Sequence, residues 1–231
     1  MALGNLIGAN NIMSIILSKT PISWIRLLMI IVMGTSLHSV TANAEVALGK
    51  ESAPVTIIEY ASLTCDYCVR FHRKTLPLLK SRHIDTGKVR FVYRDFPTSS
   101  QATRGAVAAR CAGDQYYEML DILYTAVDSW SRTADIDAAL IQKIDPLGLD
   151  VESFRACLND PQHIRAITKE QQRATRKYGV FGTPTFLINN ELVRGIKDID
   201  EIEALIEKAL INARKKSTDI SVQRSSNADP R

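Results

Sequence analysis

The chain has 231 residues, of which 29 are Lys or Arg and 25 are Asp or Glu, giving a formal net charge of +4. The first 44 residues contain two of the basic residues and none of the acidic ones, so the remainder is close to neutral. This balance argues against the basic surface that nucleic-acid binding requires. The length predicts one domain with room for an insertion.

The N-terminal segment, residues 1–44, has the pattern of an export signal. Basic residues precede an apolar run at 27–33, and an Ala-Asn-Ala cleavage site ends at Ala44. The apolar run is short for a bilayer span. We therefore expect a cleaved signal peptide and an exported protein. An uncleaved membrane anchor is the alternative, and translation from Met1 or from Met13 would give the same mature chain.

A Cys-x-x-Cys motif follows the first predicted strand. The strand covers 55–60, the motif is Cys65 to Cys68, a helix is predicted over 69–80 and a second strand over 89–94. Two cysteines three apart on the first turn of a helix lie on one face and can be bridged. Backbone N–H groups at the helix start favour a thiolate. The motif therefore predicts thiol–disulfide exchange.

Helical periodicity replaces strand patterns over 102–178. Strands return at 185–188 and 192–195, separated by a hairpin signal, and a final amphipathic helix is predicted over 199–212. The order of β-α-β, a helical block and β-β-α indicates an α/β sheet domain with a helical insertion. The polar composition of 214–231 predicts a flexible tail.

All four cysteines follow the predicted cleavage site. An even number in an exported chain favours two disulfides. Adjacency favours the pairing of Cys65 with Cys68, which leaves Cys111 with Cys157. That second bridge would close a loop of about 45 residues and contribute about 4 kcal/mol in the chain-entropy model. The alternative is two buried free thiols.

Several segments together resemble known families. The strand, the Cys-x-x-Cys helix and a distant Gly-Thr-Pro-Thr-Phe at 182–186 before a hairpin resemble the thioredoxin fold. The helical insertion resembles the DsbA family of exported thiol-disulfide oxidoreductases, some members of which, particularly α-proteobacterial ones, have a second disulfide. Three further segments resemble that family: Glu59-Tyr60-Ala61-Ser62, Arg94-Asp95-Phe96-Pro97 and Ala109-Arg110-Cys111-Ala112-Gly113.

The resemblance implies an α/β, thioredoxin-like fold with an inserted all-helical subdomain. It divides the chain into five parts. These are the signal peptide at 1–44, the first thioredoxin-like part at 45–98, the helical insertion at 99–178, the second thioredoxin-like part at 179–213 and the tail at 214–231.

The resemblance also assigns site residues. Cys65 is the expected nucleophile and Cys68 the resolving thiol. Glu59 is expected to be a buried carboxylate that moves a proton to or from Cys68, although a lone Glu on a strand more often faces solvent. Thr183 and Pro184, with Pro184 in the cis form, are expected to bind an extended substrate strand. An ordinary turn proline is the alternative.

Asp66 and Tyr67 replace the Pro-His pair of strongly oxidising members. An aspartate beside Cys65 opposes the thiolate, so we expect a higher Cys65 pKa than in those members. The alternative is that Asp66 faces solvent, where its charge is screened. His72, one turn after Cys68, is expected as a surface neighbour of the site without a catalytic role.

The predicted function is an exported, periplasmic thiol-disulfide oxidoreductase that donates disulfides to reduced proteins. The resemblance implies a monomer without a small-molecule cofactor and a DsbB-like membrane redox partner. A protein disulfide isomerase or reductase, kept reduced by a membrane electron donor, is the first alternative. A non-catalytic binding or chaperone protein is the second. No metal is predicted, because no second Cys-x-x-Cys or His pair completes a zinc site.

Overall fold

The computed structural model describes residues 46–195 and 197–226. The predicted signal peptide, residues 1–44, lies outside these ranges, as does the end of the predicted tail from residue 227 onward. Within the described ranges, no helix combines the length and the apolar character that a bilayer crossing requires.

One mixed sheet forms the centre of the described part of the chain. Its strands are β1 (Ala47–Leu48), β2 (Val55–Ala61), β3 (Val89–Asp95), β4 (Thr185–Ile188) and β5 (Glu191–Arg194). The spatial order is β1-β3-β2-β4-β5, with β2 and β3 parallel and the other neighbours antiparallel. Tyr60 pairs with Thr185, so the end of β2 lies beside the start of β4. The chain therefore leaves β2 next to the segment that contains Pro184.

Helix α1 connects β2 to β3 and begins directly after Cys65. It is longer than the predicted 69–80, because it starts earlier and ends later. Two π-helical turns interrupt it. Pro77 accounts for the first, because it has no N–H to donate and its ring crowds the preceding turn, so the helix widens there. Its consecutive segments are Asp66–Arg70 (α), Phe71–Thr75 (π), Leu76–Leu79 (α) and Lys80–Ile84 (π).

The chain between β3 and β4 is helical, as predicted. Gly105 lies where a β-carbon would meet Trp130 at 2.7 Å and Leu63 at 2.9 Å, so the glycine allows close packing beside the loop before Cys65. The α-helices of this block are α2 (Ser100–Cys111), α3 (Tyr116–Thr125), α4 (Val127–Ser131), α5 (Ile136–Ile141), α6 (Val151–Leu158) and α7 (Pro161–Tyr178).

The C-terminal helix α8 (Ile199–Ser226) corrects one prediction. Its packed face contains Ile202, Ile206 and Ala209, and the apolar pattern fades beyond them. The predicted end at 212 is therefore wrong, because residues 213–226 are also helical. Once a helix is nucleated, each further turn adds backbone hydrogen bonds at little cost, so a helix can outlast its packed face.

The sheet is covered on both faces. On one face, the ring of Phe71 from α1 lies 4.9 Å from Phe186 and 6.4 Å from Phe91. On the other, Tyr60 belongs to a smaller buried cluster with residues of α7 and β4. Side chains alternate along a strand, so Glu59 points to the face opposite Tyr60. That face is the one beneath α1.

Candidate active site

Cys65 and Cys68 lie at the start of α1, directly after the loop that follows β2. Both are free thiols, with Cys65 half-buried and Cys68 buried. Cys65 is the N-cap residue of α1, and its carbonyl accepts a hydrogen bond from the Val69 N–H at 2.9 Å. The Cys65 sulfur therefore lies where unpaired backbone N–H groups of the first turn favour negative charge.

The pKa of Cys65 is lowered from 9.0 to about 5. The largest cause is a hydrogen bond from the Cys68 thiol, and partial burial opposes it. Further hydrogen bonds from the Thr183 side chain and from the backbone N–H groups of Cys68 and Tyr67 also lower the pKa. At neutral pH the half-buried Cys65 sulfur is therefore a thiolate.

The pKa of Cys68 moves in the opposite direction. Burial raises it most, followed by the hydrogen bond to Cys65 and the negative charge of Glu59. The two cysteines are therefore unequal, since one is accessible and ionised while the other is buried and protonated. This difference is what a nucleophile and a resolving thiol require.

Thr183 and Pro184 lie against Cys65, with a cis peptide bond between them. The Cys65 thiol, when protonated, donates to the Thr183 carbonyl at 3.4 Å. This contact follows from the sheet, because β4 pairs with the end of β2. Nearby in sequence, Tyr67 is 54% exposed and Phe181 is 77% exposed, and both present aromatic surface to solvent.

Glu59 and His72 form a buried pair beneath α1. Glu59 is fully buried, and its Oε2 lies 2.8 Å from His72 Nε2. The other carboxylate oxygen, Oε1, is buried without a hydrogen-bond partner among the described residues. The His72 ring stacks on Tyr124 at 3.9 Å and meets Tyr93 edge-on at 5.5 Å.

His72 corrects the expectation of a surface residue, because it is only 6% exposed. It also lines a cavity of about 310 Å³ whose other walls include Leu48, Leu76 and Tyr117. The pair therefore connects the surroundings of Cys68, on which the charge of Glu59 acts, with a pocket bordered by residues of β1, α1 and α3. The sequence contained a signal for this burial. Residues four apart on a helix share a face, and His72 lies four residues after Cys68, which is buried.

Asp66 and Tyr67 are exposed at the first turn of α1. The Arg70 guanidinium lies over the Tyr67 ring, 5.6 Å from its centre. Asp66 faces solvent, where water screens its carboxylate. Its position matches the alternative in which Asp66 has little influence on Cys65.

The other two cysteines lie in the helical insertion. Cys111, at the end of α2, and Cys157, near the end of α6, form a disulfide that joins positions 46 apart, with a Cα–Cα distance of 5.8 Å. Both are half-buried. The structure thus brings Cys65, Cys68 and Thr183 into one site and keeps the disulfide as a separate feature.

The chain is similar to known proteins in sequence. A family model described as "Thioredoxin" matches residues 41–208. A Rickettsia bellii (strain RML369-C) protein named "Putative protein-disulfide oxidoreductase" is 30% identical over 175 residues, which are 74% of this chain and 67% of that protein. A Rickettsia conorii relative is 28% identical over 75% of this chain and 63% of its own length. The chain thus spans about two-thirds of these relatives or slightly less.

Solved structures agree with the fold. The crystal structure of Wolbachia pipientis alpha-DsbA1 is 31% identical, has a TM-score of 0.67, and covers 74% of this chain and 92% of that chain. Bacillus subtilis BdbD, in its oxidised form, has a TM-score of 0.63 at 22% identity over 71% of this chain and 91% of that chain, a likeness in fold. The predicted thioredoxin-like fold with inserted helices is confirmed.

Proposed function

The chain belongs to the DsbA family of thiol-disulfide oxidoreductases, and from that premise we propose that it exchanges disulfides with substrate proteins through Cys65 and Cys68. One observation carries the proposal: Cys65 is half-buried at the start of α1, while Cys68, on the first turn of the same helix, is fully buried. The pKa of Cys65 is lowered to about 5 and that of Cys68 is raised. An accessible thiolate beside a buried thiol supports stepwise exchange.

In the oxidising direction, the Cys65–Cys68 disulfide is the oxidant. A substrate thiolate attacks the Cys65 sulfur, the Cys65–Cys68 bond breaks, and Cys68 takes the electron pair. A second substrate thiolate then attacks the substrate sulfur of the mixed disulfide and releases Cys65 as a thiolate. The substrate is oxidised by two electrons and the protein is reduced by two. The low pKa of Cys65 makes it a good leaving group in the last step.

Cys68 needs a proton when it leaves, because its pKa is raised by burial. We assign the delivery of that proton to Glu59 as a relay: the carboxylate takes up a proton through His72 and passes it to Cys68. Its charge acts on Cys68, and its Oε1 has no other partner among the described residues. His72 holds the opposite carboxylate oxygen at 2.8 Å and borders the cavity beyond. The pair can therefore pass a proton between Cys68 and the cavity in either direction.

Thr183 and Pro184 provide the substrate-binding backbone in this proposal. The Thr183 carbonyl faces Cys65 and lies two residues before β4. An extended substrate segment can pair with this backbone while its cysteine meets Cys65. Tyr67 and Phe181 supply exposed aromatic surface for apolar substrate side chains.

We further propose that the protein acts as a monomeric oxidase in the periplasm, after cleavage of the signal peptide. Its substrates would be reduced exported proteins. A DsbB-like membrane protein would reoxidise Cys65 and Cys68. The family membership and the export pattern of residues 1–44 support this assignment.

An isomerase or reductase is the second candidate function, and the pKa of Cys65 supports it. A value of about 5 lies between the values of about 3.5 for DsbA and about 7 for thioredoxin. A less stabilised thiolate makes the reduced form less favoured and the protein a weaker oxidant. Electron flow could then run from a membrane donor to misoxidised substrates.

The deciding experiment is an equilibrium titration of the purified protein against reduced and oxidised glutathione, with trapping of Cys65 and Cys68. A potential near the DsbA value of about −120 mV supports the oxidase. A potential near the thioredoxin value of about −270 mV supports the reductase or isomerase. Absence of any exchange with glutathione or with a reduced protein substrate contradicts the proposed function altogether.

A further inference from the structure

A cluster of three metal-binding side chains lies in the helical insertion, and the exchange chemistry does not use it. It consists of Cys111, Cys157 and His163, all half-buried. Their sulfur and imidazole nitrogen atoms lie within 4.8 Å of one another. Among residues 46–195 and 197–226, no other group of three His, Cys, Asp or Glu side chains has this spacing.

The turn between α6 and α7 holds His163 against Cys157. Asp160 caps α7 by accepting a hydrogen bond from the Gln162 N–H at 2.8 Å, and its own N–H donates to the Cys157 carbonyl at 3.0 Å. The turn therefore fixes the start of α7 relative to the end of α6. His163 Nε2 lies 3.2 Å from the Cys157 sulfur as a result.

The cluster has the donor chemistry of zinc once its disulfide is reduced. Sulfurs in a disulfide carry no charge and bind metals poorly, whereas two thiolates and one imidazole form a common zinc ligand set. Tetrahedral Zn²⁺ at ordinary bond lengths separates a sulfur and a nitrogen ligand by about 3.5 Å and two sulfurs by about 3.8 Å. The sulfur and nitrogen of Cys157 and His163 are already close to that separation, so side-chain rotation of Cys111 supplies most of the adjustment.

We propose that reduction of the Cys111–Cys157 disulfide creates a three-ligand zinc site completed by His163. Two molecules of a small thiol supply two electrons and two protons, and they leave as one oxidised disulfide. Zn²⁺ then displaces the two protons from the cysteines, while neutral His163 binds through Nε2. Water takes the fourth position. The metal replaces the lost disulfide as a link between the ends of α2, α6 and α7.

This site is independent of the proposed function, because it uses neither Cys65 nor Cys68. The test removes those two thiols to leave a single possible dithiol. The double variant Cys65→Ser, Cys68→Ser is prepared with the second disulfide either intact or reduced by dithiothreitol. Excess reductant is removed without oxygen. Binding is followed by Co²⁺ absorption and by competition of Zn²⁺ with a coloured chelator.

The reduced protein should bind one equivalent of metal with a thiolate-to-cobalt absorption band, and the disulfide form should bind none. Adding His163→Ala to this background should weaken zinc binding by at least about tenfold, since even outer partners of metal ligands contribute that much. The matched control is His83→Ala. His83 is also half-buried but pairs with Glu203, outside the cluster, and its loss should leave zinc affinity unchanged.

Equal binding by the reduced and disulfide forms would overturn the proposal, as would unchanged affinity in the His163→Ala protein. If reduction unfolds the chain, circular dichroism measures whether zinc restores its helices. Zinc should then restore helicity in the protein with His163 but not in the His163→Ala protein, because metal binding is coupled to folding. Failure of zinc to restore the fold would count against the site.

Discussion

The two cysteine pairs of this chain have the same chemistry in different surroundings. Cys65 and Cys68 share the first turn of one helix, and one sulfur is accessible while the other is buried. Cys111 and Cys157 belong to two helices of the insertion, and both are half-buried. The first pair is surrounded by groups that act unequally on the two thiols, whereas the second pair ties distant parts of the chain together.

This difference shows that the function of a cysteine pair depends on the backbone N–H groups and the charged side chains that surround its sulfur atoms. Hydrogen bonds and helix N–H groups stabilise the Cys65 thiolate, while burial and Glu59 keep Cys68 protonated. Such asymmetry favours opening and closing of a bond during exchange. A bridge of sequence separation 46 chiefly restricts the unfolded chain.

The largest expected effect comes from Cys65→Ser. Without the accessible thiolate no mixed disulfide can form, so oxidation of a reduced protein substrate should fall to the rate measured without the protein. The double variant Cys111→Ala, Cys157→Ala is the matched control and should keep most of the wild-type rate. If both variants lost activity equally, the division of roles between the pairs would be wrong.

The same double variant should show directly how much the Cys111–Cys157 disulfide stabilises the fold. Closure of a loop of separation 46 contributes about 4 kcal/mol in the chain-entropy model, so the free energy of unfolding should fall by about that amount. Urea titrations of both proteins, with Cys65 and Cys68 reduced, measure the difference. A loss below about 1 kcal/mol would mean that the bridge is not the main cross-link of the insertion.

Glu59→Gln tests the asymmetry at Cys68. The amide keeps the side-chain volume and can still bond to His72, but it cannot give up a proton. We expect the oxidised variant to react with a substrate thiol about 10- to 100-fold more slowly. This effect lies at the lower end of what general acid–base catalysis contributes. Glu51→Gln, on the exposed surface, is the control and should react at the wild-type rate. Equal rates in all three proteins would exclude Glu59 as the proton donor.

The pH dependence of Cys65 gives the smallest and most local effect. Alkylation of the reduced protein should be constant above the pKa of about 5 and fall about tenfold for each pH unit below it. Cys68→Ala should move the midpoint upward, since the Cys68 hydrogen bond is the largest cause of the low pKa. A midpoint unchanged in Cys68→Ala would mean that other groups stabilise the thiolate.

The same shift has a consequence for stability. The folded-state pKa of Cys65 is below its ordinary value of 9.0, so ionisation stabilises the reduced fold fully above about pH 9. That contribution shrinks as the pH falls from 9 and is lost below about 5. Comparing urea unfolding of the reduced protein and of Cys65→Ser across this range isolates it.

The sequence by itself determined the features that depend on spacing within one element. The Cys-x-x-Cys motif after an apolar strand predicted a thiolate at a helix start, and the hairpin signals located β4 and β5 to within a residue. The even number of cysteines and the adjacency of one pair indicated the second disulfide. Each of these patterns follows from periodicity, turn chemistry or counting, which local sequence contains.

Only the tertiary structure decided which side chains from different elements meet. His72 was expected at the surface, yet α1 packs it against Glu59 of β2 and Tyr124 of α3. His163 lies far in sequence from every other histidine, yet the turn before α7 brings it to Cys157. Such contacts depend on strand register, helix rotation and the angle between helices. The burial of each element's apolar face sets these three quantities, and they in turn determine which polar side chains meet.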